Sequence, residues 1–299
     1  MSRFKILVAG RSGQVAQSLV EAAALRERID LTCAGRPDLD IADLGSVRSA
    51  VSEAKPNLVI NAAAYTAVDK AEDDRDAAFA GNETGPENLA KVTVEAGIPL
   101  FHISTDYVFS GQATAPYTED HPTDPLGVYG SSKLAGEQAV AHHNPKHLIL
   151  RTAWVYGVYG ANFLKTMLRV AEGRNELNVV ADQYGAPTSS HDIASGLLDL
   201  AEAVLADPNN ARWGTFHMSA GGDAVWAEFA EAIFAASAIN DGPSATVNRI
   251  PTTEYPTPAE RPAFSVLNSS ALEQAYGVRL PHWKEPVAGV VARVLQHKE

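Results

Sequence analysis

Short apolar runs alternate with stretches of helical spacing through the first half of the chain. Phe4–Ala9 is an apolar run stopped by Gly10, the pattern of a buried parallel strand. Residues 13–25 carry Val15, Leu19, Ala22 and Ala23 at helical spacing. Ile29–Ala34 reads as the next strand and Leu44–Ala54 as the next helix, followed by a third strand over Leu58–Asn61, introduced by Pro56. The pattern then predicts a helix over 77–96 closed by Gly97, a strand over 99–104, a helix over 129–143 and a strand over His147–Thr152. This β-α order implies a parallel sheet with helices on both faces.

The second half is less regular. Helices are predicted over 162–172, 190–205, 224–236, 269–276 and 285–296, with a strand over 215–219. In 224–236, Val225, Phe229, Ile233 and Phe234 form one stripe. The proline-rich stretch 251–262 reads as the loops of a smaller lobe.

A chain of 299 residues suits one large domain or two fused lobes. Its formal charge of −12 argues against a nucleic-acid footprint, which needs clustered Lys and Arg. An anionic small ligand remains compatible, because a helix N-terminus or a single Arg binds one. Cys33 is the one cysteine, so an intrachain disulfide is impossible and a reducing cytoplasm is the expected compartment. The opening apolar run is too short for a signal peptide, and no run approaches a membrane span. The histidines show no metal-ligand spacing, and the acidic run 72–76 reads as a solvated face.

Gly10-Arg11-Ser12-Gly13-Gln14-Val15-Ala16 follows the first strand and opens the first helix. That context gives a glycine turn its meaning: Gly10 permits the tight turn, Gly13 lets a pyrophosphate approach the backbone N–H groups, and Ala16 allows close packing. An acid near the end of the second strand would bond the ribose 2′-OH of NAD. Arg36 stands there instead, either as an exposed loop residue or, like Arg11, as a partner for a 2′-phosphate. NADPH is therefore the expected cofactor, with NADH tolerated. Of Asp40-Ile41 and Asp43, one acid is expected near the adenine, and the alanines of Asn61-Ala62-Ala63-Ala64-Tyr65-Thr66 suit a backbone pressed against a ligand.

Tyr129 and Lys133 are four residues apart on a predicted helix, which puts both on one face. An ammonium near a phenol favours the phenolate and lowers its pKa, so the pair suits proton transfer to a carbonyl.

The glycine turn, residues 61–66, Ser104-Thr105-Asp106-Tyr107-Val108-Phe109-Ser110-Gly111 and the Tyr129/Lys133 pair together resemble the extended short-chain dehydrogenase/reductases, and within them the dTDP-4-dehydrorhamnose reductases. The resemblance continues through 151–157, 182–188, 214–219 and 261–267. It implies a Rossmann-type doubly wound parallel sheet with a smaller α/β substrate-binding lobe. Residues 1–155, completed by about 175–218, would form the dinucleotide-binding domain, and 156–174 with 219–299 the interleaved lobe. It implies a nucleotide-sugar substrate. Thr105 would hydrogen-bond the keto oxygen, and Tyr129 would donate the proton. Lys133 would lower the phenol pKa and hold the nicotinamide ribose. Ala64, Tyr65 and Thr66 would line the cofactor, Asp106 and Trp154 would contact the sugar, and Arg261 would face the diphosphate or the dTDP end. Trp213, Trp226 and Trp283 read as packing aromatics.

Relatives that bind Mg²⁺ at a dimer interface do so through acids. The matching stretches here hold Val15-Ala16 and Ser189-Ser190, so no metal site is expected and a homodimer by that route is in doubt. Related dehydratases carry Glu where this chain has Tyr107, and related epimerase–reductases use an active-site Cys and His, whereas Cys33 falls in the predicted second strand. The expected reaction is NAD(P)H-dependent reduction of a dTDP-4-keto-6-deoxyhexose. The alternatives are reduction of another nucleotide-4-ketosugar, or a non-catalytic regulatory subunit that keeps the nucleotide site.

Overall fold

The structure, a computed structural model, describes residues 3–296. The chain runs β1 (Phe4–Ala9), α1 (Gln14–Ala23), β2 (Ile29–Ala34), α2 (Leu44–Ala54), β3 (Leu58–Asn61), α3 (Val68–Ala71), α4 (Arg75–Phe79), a π-helical turn (Ala80–Thr84), α5 (Gly85–Glu95) and β4 (Leu100–Thr105). A 3₁₀ turn (Asp106–Val108) leads to α6 (Val128–His143), β5 (His147–Thr152), β6 (Val155–Tyr156), α7 (Phe163–Ala171), β7 (Glu176–Val180), β8 (Tyr184–Gly185) and β9 (Thr188–Ser189). Then come α8 (Ser190–Ala206), β10 (Gly214–His217), β11 (Ala224–Val225), α9 (Trp226–Ile239), β12 (Thr246–Ile250), α10 (Ser270–Tyr276) and α11 (Lys284–Gln296).

Six parallel strands form the main sheet in the order β10-β5-β4-β3-β1-β2. Its inner strands are apolar on both faces because both are covered. Ile6 and Val8 of β1 pack with α1 and α8, while Leu7 and Ala9 pack with α2, α5 and α6. The chain leaves β1 for β2 and returns to β3 on the other side of β1. That reversal opens a crevice at the carboxyl ends of β1 and β3, where such sheets bind ligands.

The smaller lobe has its own core, in which α7, α9 and α11 pack with Trp283 and the parallel pair β7/β12. β7 lies in the stretch expected to complete the nucleotide domain, but it pairs with β12. The return to the main sheet is made by α8 and β10. Leu272, Val278 and Leu280 also join the main-sheet core, so part of 219–299 packs there as well. The helix expected over 77–96 is α4, the π turn and α5 in succession. Among the described residues no helix is long and apolar enough to cross a membrane.

Candidate active site

Two contiguous cavities lie at the carboxyl ends of the strands. The first, of about 750 Å³, is lined by Gly10, Arg11, Ser12 and Gly13, by Arg36, Asp40 and Ile41, and by Ala62, Ala63, Ala64, Tyr65 and Thr66. Gly10 has φ +126°, and a Cβ there would stand 3.2 Å from the carbonyl carbon of Ala62, so only glycine fits without strain. The alanine segment is fixed from beneath by buried Asn61. Its Oδ1 accepts from Ala63 N at 3.1 Å and its Nδ2 contacts His102 Nδ1 at 2.9 Å. A wall of small residues and bare backbone, next to a helix N-terminus, is suited to a dinucleotide.

Both candidate arginines line this cavity, and both are engaged. Arg11 pairs with Asp38, and Arg36 donates to Asp40 at 2.9 Å. The Arg36 hydrogen bond holds the Asp40 carboxyl below its ordinary pKa. A 2′-phosphate would have to share either guanidinium with its acid.

The second cavity, of about 500 Å³, shares Gly13, Ala62, Ala63, Ala64 and Thr66 with the first. Its other walls include Gln14, Val15, Thr105, Asp106, Tyr107, Tyr129, Lys133, Trp154 and Trp226. Thus β4 delivers Thr105 at its end, the 3₁₀ turn delivers Asp106, and α6 delivers Tyr129 and Lys133 from its first turns, to the space the alanine segment faces.

Close approach places α6. A Cβ on Gly130 would run into the Tyr107 carbonyl oxygen, so glycine lets the helix press on the turn after β4. Glu72, in the run read as a solvated face, instead accepts from Val128 N at 2.9 Å and caps the helix start. Asn82, buried in the π turn, ties the alanine segment to α6. Its Oδ1 accepts from Tyr65 N at 2.8 Å, and its Nδ2 donates to Tyr65 O and Ser132 Oγ, each at 3.0 Å. Further along α6, buried Glu137 accepts from Arg151 Nη2 at 2.7 Å and Ser104 Oγ at 2.5 Å, clamping the helix to β4 and β5.

The electrostatics depart from one expectation. Lys133 was expected to lower the Tyr129 phenol. The phenol is instead pushed up to about 12, chiefly by burial and further by the Asp106 charge, with the Thr105 hydroxyl opposing. The buried Lys133 ammonium donates to Ile103 O at 2.7 Å, and burial lowers its own pKa to about 8, against the pull of Glu137. Asp106 is buried and pushed up to about 6 by the loss of solvent, with the Ser265 and Thr105 hydroxyls opposing. A neutral phenol beside a hydroxyl and a cation is a set of proton donors converging on one space.

Trp154 sits at φ +46°, an uncommon backbone for a bulky residue. Its indole stacks on Trp226 with centroids 3.5 Å apart and planes 4° from parallel. Trp226, expected only to pack, therefore walls the second cavity, and its Nε1 donates to Gln183 Oε1 at 3.2 Å. Its place at the start of a helix with an apolar stripe gave no signal of this. Trp283 is buried in the lobe core. Arg261 lines neither cavity; it donates to Asp69 at 2.9 Å and lies 6.0 Å from the Tyr107 ring centre. Among the described residues no group of three or more His, Cys, Asp or Glu side chains is arranged to hold a metal ion.

The family model described as "RmlD substrate binding domain" matches residues 4–296. A dTDP-4-dehydrorhamnose reductase of Sinorhizobium fredii is 45% identical over 296 residues, covering 99% of each chain. Among solved structures, a dTDP-4-dehydrorhamnose reductase of Clostridium acetobutylicum superimposes with a TM-score of 0.89 at 40% identity, over 98% of this chain and 100% of the other. One from Bacillus anthracis, in complex with NADP, gives 0.88 at 35% identity, over 96% and 98%.

Proposed function

The chain belongs to the RmlD substrate binding domain family, and from that premise we propose that it reduces the 4-keto group of dTDP-4-dehydro-L-rhamnose to give dTDP-L-rhamnose, using NADPH and accepting NADH. The observation that carries the reading is the contiguity of the two cavities: the alanine wall beside the glycine turn continues into the space that Thr105, Tyr129 and Lys133 line. The Bacillus anthracis relative's complex with NADP supports the choice of cofactor.

In this reading Gly10, Arg11, Ser12, Gly13, Gln14 and Val15 receive the pyrophosphate end. Arg36, Asp40 and Ile41 meet the adenosine end, and residues 62–66 back the rest of the cofactor. When bound, the dihydronicotinamide supplies a hydride for the keto carbon. The Thr105 and Tyr129 hydroxyls bond the keto oxygen as charge grows on it, and Tyr129 gives it a proton. Lys133 balances the charge left on the phenol and holds the ribose. Asp106 and Trp154 contact the sugar. The bond of Arg261 to Asp69 puts its reach to the diphosphate in competition with that acid. The compartment proposed is the cytoplasm, with a homodimer as a compatible assembly.

The test is NADPH oxidation followed by absorbance with a panel of nucleotide-4-ketosugars and with both cofactors. Turnover specific to the dTDP-4-keto-6-deoxyhexose is expected. Binding of NADPH without turnover of any ketosugar would replace this reading with that of a regulatory nucleotide-binding subunit.

A further inference from the structure

The hydroxyl of Thr105 donates to Asp106 Oδ1 at 3.0 Å and accepts from Tyr107 N at 3.2 Å. A hydroxyl has one hydrogen and two acceptor lone pairs. With Asp106 ionised the carboxylate can only accept, so the Thr105 hydrogen points at Asp106. One lone pair takes the Tyr107 N–H. In that order Thr105 has no hydrogen for a ketone oxygen in the cavity that Tyr129 also lines. The other Asp106 oxygen, Oδ2, is buried with no hydrogen-bond partner, and Asp106 lines the same cavity.

Protonating Asp106 reverses the order. A carboxylic acid donates to Thr105 and fills one lone pair, while the Tyr107 N–H keeps the other. The Thr105 hydrogen is released and turns to the cavity. We propose that Asp106 must hold a proton, donated to Thr105, for Thr105 to donate to the keto oxygen beside Tyr129. Asp106 is thus a positioning residue acting through Thr105. The inference rests on the reductase reading above. The reaction balance is unchanged: the keto carbon gains the cofactor's hydride, the oxygen gains the Tyr129 proton, and Asp106 keeps its own.

The surroundings suit a carboxyl that can hold a proton. The ionisable groups that feel the Asp106 charge are phenols, Tyr107 from its own turn and Tyr129 from α6. Lys133 of α6 is directed at the Ile103 carbonyl, and the Arg261–Asp69 ion pair lies beside Tyr107. Ser265, from the loop before α10, is the remaining hydroxyl that acts on it, and it donates to Tyr184 O at 3.3 Å. Burial raises the carboxyl to about 6, so its protonated fraction falls across neutral pH.

The test compares kcat/KM, which reports the free enzyme's groups, for the wild type and Asp106→Asn, with NADPH and the dTDP-4-keto-6-deoxyhexose. The Asn amide donates to Thr105 at every pH. Wild-type kcat/KM is expected to fall as pH rises past about 6, and the variant to lack that limb. The ratio of variant to wild type should then rise at least about tenfold from pH 6 to pH 8, the change a single titrating group produces. A uniform loss from a weakened sugar contact leaves the ratio flat, and a ratio constant within about twofold overturns the proposal. A variant that folds and binds NADPH but is inactive at every pH overturns it too. Absence of wild-type turnover with any ketosugar would sink the reductase reading itself, a separate outcome.

Discussion

The two halves of the cleft are built by opposite means. Around the glycine turn the walls are backbone and small side chains, and the charges at the rim, Arg11 with Asp38 and Arg36 with Asp40, are solvent-exposed pairs. Around Tyr129 the ionisable groups are buried: Lys133, Asp106 and Glu137 are each less than 5% exposed. In the proposed function one half binds by shape and by backbone N–H groups, which tolerate water. The other concentrates charge where solvent is excluded, and there each proton and each partner carries a large energy. Substitutions should therefore cost more, and in a different quantity, in the second half than in the first.

The widest gap should come from Tyr129→Phe. Loss of the proposed proton donor is expected to lower kcat by about 10²–10⁴ with NADPH binding intact. Titration of the variant with NADPH alongside single-turnover rates checks both halves at once. Next comes Glu137→Ala, which leaves the Arg151 guanidinium buried without its acid. Denaturant unfolding should show a loss of about 3–5 kcal/mol, the cost of breaking a buried pair, whereas Asp38→Ala at the exposed pair should cost about 1 kcal/mol or less.

In the cofactor half the largest effect should be that of Gly10→Ala. A side chain at φ +126° costs about 1–3 kcal/mol of strain. NADPH binding is expected to weaken about tenfold or more, with kcat at saturating cofactor changed far less. Isothermal titration with NADPH measures the first and steady-state rates the second; a fall in kcat as deep as that of Tyr129→Phe would erase the contrast between the halves. The smallest effect should be that of Arg36→Ala or Arg11→Ala. An exposed ion pair is worth about 1 kcal/mol or less, so KM for NADPH should rise by up to about fivefold while KM for NADH holds. The arginine with the larger response is the one that meets the 2′-phosphate.

The same contrast explains what was legible in the chain. Strands such as Phe4–Ala9, Leu58–Asn61 and His147–Thr152 declare themselves by apolar runs bounded by glycine, proline or polar residues, because burial on both faces demands such runs. The glycine turn is a local device and reads locally. Tyr129 and Lys133 stand at one-turn spacing on one helix, so their shared face is readable as well. The Glu72 cap on α6, the Asn82 bridge between Tyr65 and Ser132, and the Trp154–Trp226 stack join residues from distant stretches, and no local pattern marks them. The phenol's raised pKa belongs with these. It follows from how deeply α6 is pressed into the fold, and the one-turn spacing suggested the opposite direction. Paired strands as short as β8 and β11 leave no run long enough to recognise.

The detour of the chain through the smaller lobe has a consequence during synthesis. β5 ends at Thr152, yet the covering helix α8 and the strand's outer neighbour β10 come from Ser190–Ala206 and Gly214–His217. At about 5–20 residues per second, the ribosome needs roughly 3–13 s to make the intervening stretch. Through that interval the nascent sheet shows Ile6, Val8, Leu148 and Leu150 on the face α8 will cover. A nascent chain halted there would be a client for chaperones, and the final shape is reached only when the late segment slots back against its earliest strands.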